Sequence, residues 1–326
     1  MLTNTDTFSP PARFTGGLLV TLLTASLAAC TAAPPAGSPP PTPSASPTPG
    51  GSPINSPDPT NQPQPSPSPT QPTGGIAHPT GPTDVILRME TGGGFVPLGW
   101  MVTQAPEFTL YGDGTFLIKP LEDPDLPQAF DSAQPRFLQG RLDQATVQTL
   151  LAFALDQGRL REARENYRDD MIADAPTTVF TIDADGVSKA VSIYALSEVF
   201  EPRADGVDRA AFNELAELLR SFERRSRAGE LGEVVLYEPT HYRVTLLEGF
   251  GQPVGEPVEW PWDDFTPDDF VATEEFNRPQ AIMTAEDVAL VTEVPSGGHP
   301  GIAVDYEGTV WLVGVRPLLP DEEPAG

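Results

Sequence analysis

The densest group of side chains able to do chemistry is Glu259-Trp260-Pro261-Trp262-Asp263-Asp264-Phe265, continued by Asp268, Asp269, Phe270, Glu274 and Glu275. Two indole rings flanking a proline beside carboxylates suit stacking on a sugar face with hydrogen bonds to its hydroxyls. The same acids could gather Ca2+, which takes about six to eight oxygen ligands. Trp260, Trp262, Asp263 and Asp264 are therefore the candidate ligand-binding residues, with Ca2+ the one cofactor to consider. Large aromatics in soluble domains are mostly buried, so the competing expectation is that the tryptophans plug a core beneath a long loop while the acids face water.

Other reactive-looking groups fit simpler roles. Asp183-Ala184-Asp185-Gly186 opens like a calcium loop, but Ser192 stands where a bidentate Glu is required and strands flank it. Gly92-Gly93-Gly94 has neither a following Lys nor a helix to cradle phosphate, and reads as a turn. His241 and His299 are far apart in sequence, with no HExxH pattern for zinc. No GxSxG elbow occurs, and Ser296-Gly297-Gly298-His299 reads as a turn. A glycosidase needs only two suitably spaced carboxylates, a requirement too weak to select any pair in so acidic a chain. No catalytic and no metal residue is assigned, and enzymatic activity stays open.

The first 30 residues carry a different chemistry. After Arg13, the run Gly16-Gly17 to Ala28-Ala29 is apolar for fourteen positions and ends at Cys30, too short for a permanent transmembrane helix and suited to a signal peptide over 1–29. Leu27-Ala28-Ala29-Cys30 resembles the lipobox of bacterial lipoproteins. That resemblance implies a diacylglyceryl group on Cys30, cleavage just before it, and attachment to the outward side of a bacterial cell membrane. Cys30 is the sole cysteine, so the rest of the chain has no disulfide and no thiolate metal site.

These groups must be carried by a body that begins well downstream. From Thr31 to Pro82 the chain is mostly Pro, Ser, Thr, Gly and Ala, with 18 of its 39 prolines and one charge, Asp58. Such a composition offers too little apolar surface to offset the entropy of ordering and reads as a disordered tether; His78 falls within it as a bystander. Residues 83–326 hold 44 of the 46 acids and 18 of the 19 Lys and Arg, a formal charge of −26 that argues against nucleic acid as a partner.

Within the body, strands are expected at 84–89, 107–111, 115–118, 177–183 and 187–194, the last two joined at Asp185-Gly186. One helix should start at Asp143 and bury Val147, Leu150, Leu151, Ala154 and Leu155 before Gly158. A second should be capped by Asp208, bury Phe212, Leu215, Leu219 and Phe222, and set arginines against its C-terminal dipole. A smaller unit follows, with strands at 234–237 and 242–247, a helix opened by Thr284 and Asp287 at capping-box spacing, and a closing hairpin over 302–315 around Glu307-Gly308.

TLYGDGTFLI, GRLDQATVQTLLAFAL and DAPTTVFTIDADG, in that order before a leucine-rich helix, resemble a family of uncharacterised domains in secreted bacterial lipoproteins. The ending GVRPLLPDEE is similar to C-terminal segments of such envelope proteins. The resemblance implies an α+β fold and no activity. The expected organisation is a tether over 30–82, an α+β domain of two hairpin-plus-helix units over 83–228, and a smaller α+β unit over 229–326. The expected function is that of a membrane-anchored binding module for cell-wall polysaccharide or another envelope protein. The alternative is an extracellular hydrolase acting on wall glycan or another polymer with acids of the 259–275 loop.

Overall fold

The computed structural model describes residues 75–96, 98–120, 135–168, 171–197, 205–248, 256–272, 278–292 and 301–324. Cys30, Glu274, Glu275 and His299, and so the lipobox and part of the acidic loop, lie outside them. The fold is α+β, built on two mixed sheets.

The larger sheet draws on β1 (Val85–Gly92), β2 (Phe108–Tyr111), β3 (Thr115–Ile118), β4 (Leu138–Arg141), β5 (Asn166–Tyr167), β6 (Thr177–Ala184), β7 (Val187–Tyr194) and β8 (Val234–Leu236), in the order β5-β7-β6-β1-β2-β3-β4-β8. Central β1 pairs with both β2 and β6, so it joins the two hairpin-plus-helix units into one sheet. Three helices accompany these strands: α1 (Leu98–Val102), α2 (Gln144–Ala152), continued by a π turn over Phe153–Gln157, and α3 (Gly206–Arg227). Asp143 caps α2 by accepting the Thr146 amide at 2.7 Å, and the helical run stops at Gly158, both as the sequence leads one to expect.

Helices α2 and α3 bury their apolar stripes on one face of this sheet. Phe222 of α3 lies edge-to-face against Phe108 and Phe116, with centroids 4.9 and 5.6 Å away, and Phe212 meets Tyr167 at 5.0 Å. Asp208 does not cap α3. The helix begins at Gly206, and Asp208, in its first turn, instead accepts from Arg159 Nε at 2.7 Å and from the Tyr167 hydroxyl at 3.0 Å. Arg209, which sequence reasoning passes over, is buried there and bonds Asp205 and the Tyr194 carbonyl.

Two placements differ from the sequence reading. Residues 75–82 belong to the body rather than the tether: Ile76 packs on the main core, and Gln148 of α2 donates to the Ile76 carbonyl at 3.0 Å. His78 is buried, its Nδ1 2.6 Å from the Pro79 carbonyl and its Nε2 3.1 Å from the Gln144 amide nitrogen. Strand β8, read from sequence as the start of the smaller unit, completes the larger sheet by pairing with β4. The reason lies at Gly140: a Cβ there would sit 2.4 Å from the Phe116 ring and 3.0 Å from Val234 Cγ2, so the bare backbone is what lets both side chains close over it.

The smaller sheet comprises β9 (His241–Glu248), β10 (Val258–Glu259), β11 (Val271–Ala272), β12 (Pro279–Thr284), β13 (Ile302–Tyr306) and β14 (Thr309–Pro317), ordered β10-β13-β14-β9-β12-β11. Helix α4 (Ala285–Thr292) packs Val288 and Val291 on one face of it. At its start, Thr284 and Asp287 form the expected reciprocal cap, the Thr284 hydroxyl donating to Asp287 at 2.7 Å. Asp185-Gly186 and Glu307-Gly308 both have positive φ in both turn residues, the conformation a two-residue hairpin loop demands.

Candidate functional site

The aromatic loop resolves into core and rim. Trp262 is buried, and its indole N–H donates to the Asp287 carbonyl of α4 at 2.9 Å. Trp260 is half-buried, donates to the Phe265 carbonyl at 2.7 Å, and meets Trp262, Tyr306 and Phe270 edge-on at 5.0, 5.1 and 6.2 Å. Both indole donors thus bond backbone carbonyls, and the rings roof the smaller core together with Phe270. Asp263 and Asp264 are exposed. Asp269 accepts the Thr266 amide and hydroxyl at 2.8 and 2.9 Å, and these bonds hold its carboxyl below the usual range. Among the described residues no three His, Cys, Asp or Glu side chains gather as a metal site would require.

The polar chemistry of the described body concentrates elsewhere, where the face of the larger sheet opposite α2 and α3 meets one face of the smaller one. Side chains alternate along strands, so Arg88 and Glu90 of β1 share the face that carries Thr109 and Tyr111. On the smaller sheet, register puts Arg243 and Thr245 of β9 beside Gln280 of β12 and Gly314 and Arg316 of β14. Contact between the sheets is close at Gly314, where a Cβ would lie 2.4 Å from Val102 Cγ2 of α1.

The C-terminal segment locks this seam. Leu319 joins Ala105, Tyr111, Leu117 and Phe137 in a small core of its own. Three consecutive acids then take three different partners. Asp321 Oδ1 accepts from Arg88 Nη2 and from the Tyr111 hydroxyl, each at 2.7 Å. Glu322 receives both terminal nitrogens of Arg316 at 2.8 Å, a bidentate pair, and the Leu319 amide at 3.0 Å. Glu323 Oε2 lies 2.6 Å from His241 Nδ1 and accepts the Thr240 hydroxyl at 2.8 Å.

Burial alone would raise the Glu322 pKa, but the Arg316 hydrogen bonds and charge, with the Leu319 amide, bring it below its ordinary value. Burial, reinforced by the Asp321 carboxylate, pushes the Tyr111 phenol far upward, so it remains a donor. Lys119 is pulled down by desolvation, against the opposing fields of Glu107 and Glu90.

Beside this clasp lies a cavity of about 170 Å3, lined chiefly by polar side chains of both sheets. Arg316 and Arg88 border it with their charges already paired. Arg243 and Glu90 border it too, and among the described residues neither has an ion-pair partner; Glu90 accepts a long hydrogen bond from the Gln104 amide at 3.4 Å. Sequence reasoning missed this site. Its only sequence signal is Arg and Gln on strands where apolar or small polar residues would be ordinary, and that signal gains meaning only once the register is known.

On the same face, near the other edge of the larger sheet, Asn166, Thr177, Ser192 and Tyr194 line a shallower pocket of about 460 Å3. Next to it Phe95 and Met171 stand 92% and 93% exposed on two loops tied by the Phe95 amide to the Asp174 carbonyl at 3.1 Å. No helix of the described residues is long and apolar enough to cross a membrane. No protein-family model, curated protein or solved structure matches the chain.

Proposed function

We propose that this chain is a bacterial cell-envelope lipoprotein, held to the membrane by lipid on Cys30, whose α+β body binds another envelope component without chemistry of its own. The observation that carries the reading is the sequence Leu27-Ala28-Ala29-Cys30 closing a fourteen-residue apolar run, in a chain whose sole thiol is that cysteine. Two acyl chains supply the two hydrophobic signals that stable attachment takes. Among the described residues Ile76 is the first that packs on the core, and the sequence between Cys30 and it is rich in Pro, Ser and Thr.

Binding is favoured over catalysis because, among the described residues, both imidazoles and both indole donors of the candidate loop are engaged in holding the fold. His241 is clasped to Glu323, His78 is wedged between Pro79 and Gln144, and both tryptophan donors are bonded to backbone carbonyls. The exposed Phe95 and Met171, each on a loop beside the shallower pocket, support contact with another macromolecule.

Mass spectrometry of the native N-terminal peptide tests the anchor: a diacylated Cys30 at the new N-terminus is expected, and Cys30→Ser should release the protein to the soluble fraction. A free Cys30 thiol in a chain that still begins at Met1 would overturn the proposal.

A further inference from the structure

We infer that the cavity between the two sheets is a binding site for a small amino acid, whose carboxylate pairs with Arg243 and whose ammonium group pairs with Glu90. The inference deepens the binding reading above by naming a ligand class, and it is independent of the lipid anchor.

The first argument is electrostatic. Arg243 and Arg316 stand directly opposite one another on β9 and β14. Like charges at such a position destabilise a strand pair. Glu322 neutralises Arg316 with both its oxygens, while Arg243 has no carboxylate within ion-pair distance among the described residues. A third, negative group in the cavity relieves this arrangement, and a planar carboxylate matches the guanidinium fork.

The second argument is the opposite wall. Glu90 projects from the larger sheet with only the long Gln104 contact, and Lys119 acts on it through its field without an ion pair. The body thus presents to the same enclosed space a cation and an anion that form no ion pair among the described residues and feel opposite charge only through longer-range fields, Arg243 from Glu322 and Glu90 from Lys119, the charge pattern of an α-amino acid reversed. A simple anion would leave Glu90 unmatched, and a simple amine would leave Arg243 unmatched.

Size and the remaining lining agree. A volume of about 170 Å3 is the space of roughly five or six waters, ample for glycine or alanine and restrictive for long side chains. The Thr245 hydroxyl and the Gln280 amide, both on the cavity wall, make no hydrogen bond within the described structure and stand ready to bond a polar ligand. Sites of this kind, between two packed units with a few convergent polar groups, are where small ligands ordinarily bind.

Isothermal titration of the full-length protein with glycine, L-alanine, acetate and ethylammonium tests the proposal. Glycine or L-alanine should bind more tightly than acetate or ethylammonium. Arg243→Gln should weaken glycine binding about tenfold or more, the loss expected for a hydrogen-bonded charge pair. Glu90→Gln should weaken glycine and leave acetate unchanged or improved. Equal binding of acetate and glycine would remove Glu90 from the site. No heat from either amino acid, or full binding by Arg243→Gln, would leave the cavity to water and overturn the inference. None of these results depends on whether Cys30 carries lipid, so failure here and failure of the anchor are read separately.

Discussion

The two faces of the larger sheet are closed by opposite means. On the helix side, Phe108, Phe116, Phe180 and Tyr167 meet rings from α3 and aliphatic side chains from α2, and the face is mostly apolar. On the other side, Arg88, which also donates to the Thr109 hydroxyl, and Tyr111 meet a carboxylate from Asp321, 233 positions away in the chain from Arg88. The first face gains stability from non-directional burial, which tolerates small shifts. The second depends on hydrogen-bond geometry, so it fixes one arrangement of the C-terminal segment and loses most when one partner is removed. The larger single effect should fall on the apolar side. Phe222→Ala removes a ring held edge-on by two others and should cost about 3–5 kcal/mol, read as a lower urea midpoint with unchanged slope. A loss under 1 kcal/mol would mean that this face is not the main core.

The ionic face is probed next, at Glu322. Glu322→Ala leaves Arg316, whose side chain is 7% exposed, without its counter-ion, and should cost about 2–3 kcal/mol. Replacing both members, Arg316→Met with Glu322→Leu, should restore most of that loss, because the penalty comes from stranding one buried charge rather than from the pair's net worth. The pH dependence has a definite sign. The folded carboxyl lies below its ordinary value of 4.5, so its contribution is complete above that value and is lost as pH falls through the lower folded one. Urea melts near neutrality and at about pH 3 should therefore show the wild type and Glu322→Ala converging in acid, while Phe222→Ala keeps its deficit.

The same contrast explains what was legible in the sequence. Periodicity reports a face only when one element carries the whole pattern. Val147, Leu150, Leu151, Ala154 and Leu155 gave away the buried stripe that begins at α2, as Phe212, Leu215, Leu219 and Phe222 did for α3. Local turn chemistry worked equally well at Asp185-Gly186 and Glu307-Gly308. The cap of α3 was misplaced because Asp205 and Asp208 are both acids at its start, and Arg159, remote in sequence, decides what Asp208 does. The tryptophans were visible as an oddity, yet only the α4 carbonyl and the neighbouring rings reveal what they hold. The seam was invisible. Asp321, Glu322 and Glu323 read as an acidic tail until Arg88, Arg316 and His241 are brought to them by pairings between distant strands.

The smallest expected effect discriminates best between charges that hold the fold and charges that do not. Arg243 and Arg316 are cross-strand neighbours of the same residue type, so propensity and length are matched, while Arg316 is buried and Arg243 only partly so. Arg316 donates to Glu322 and to the Gln104 carbonyl, tying the clasp to the segment that follows α1. Arg316→Gln should therefore destabilise, since it strands Glu322 and frees a backbone acceptor. Arg243→Gln breaks no ion pair among the described residues; it removes one of two facing positive charges, together with the weaker, longer-range field of Arg243 on Glu322. Its effect should lie within about 0.5 kcal/mol of zero, on the stabilising side, because facing like charges oppose pairing by roughly 0.2–1 kcal/mol. Added salt should shrink that gain by screening the repulsion, while the Arg316→Gln deficit, resting on direct hydrogen bonds, should persist. If Arg243→Gln instead proves as costly as Arg316→Gln, both guanidinia belong to the clasp, and the division between structural and unneutralised charge drawn at this seam fails.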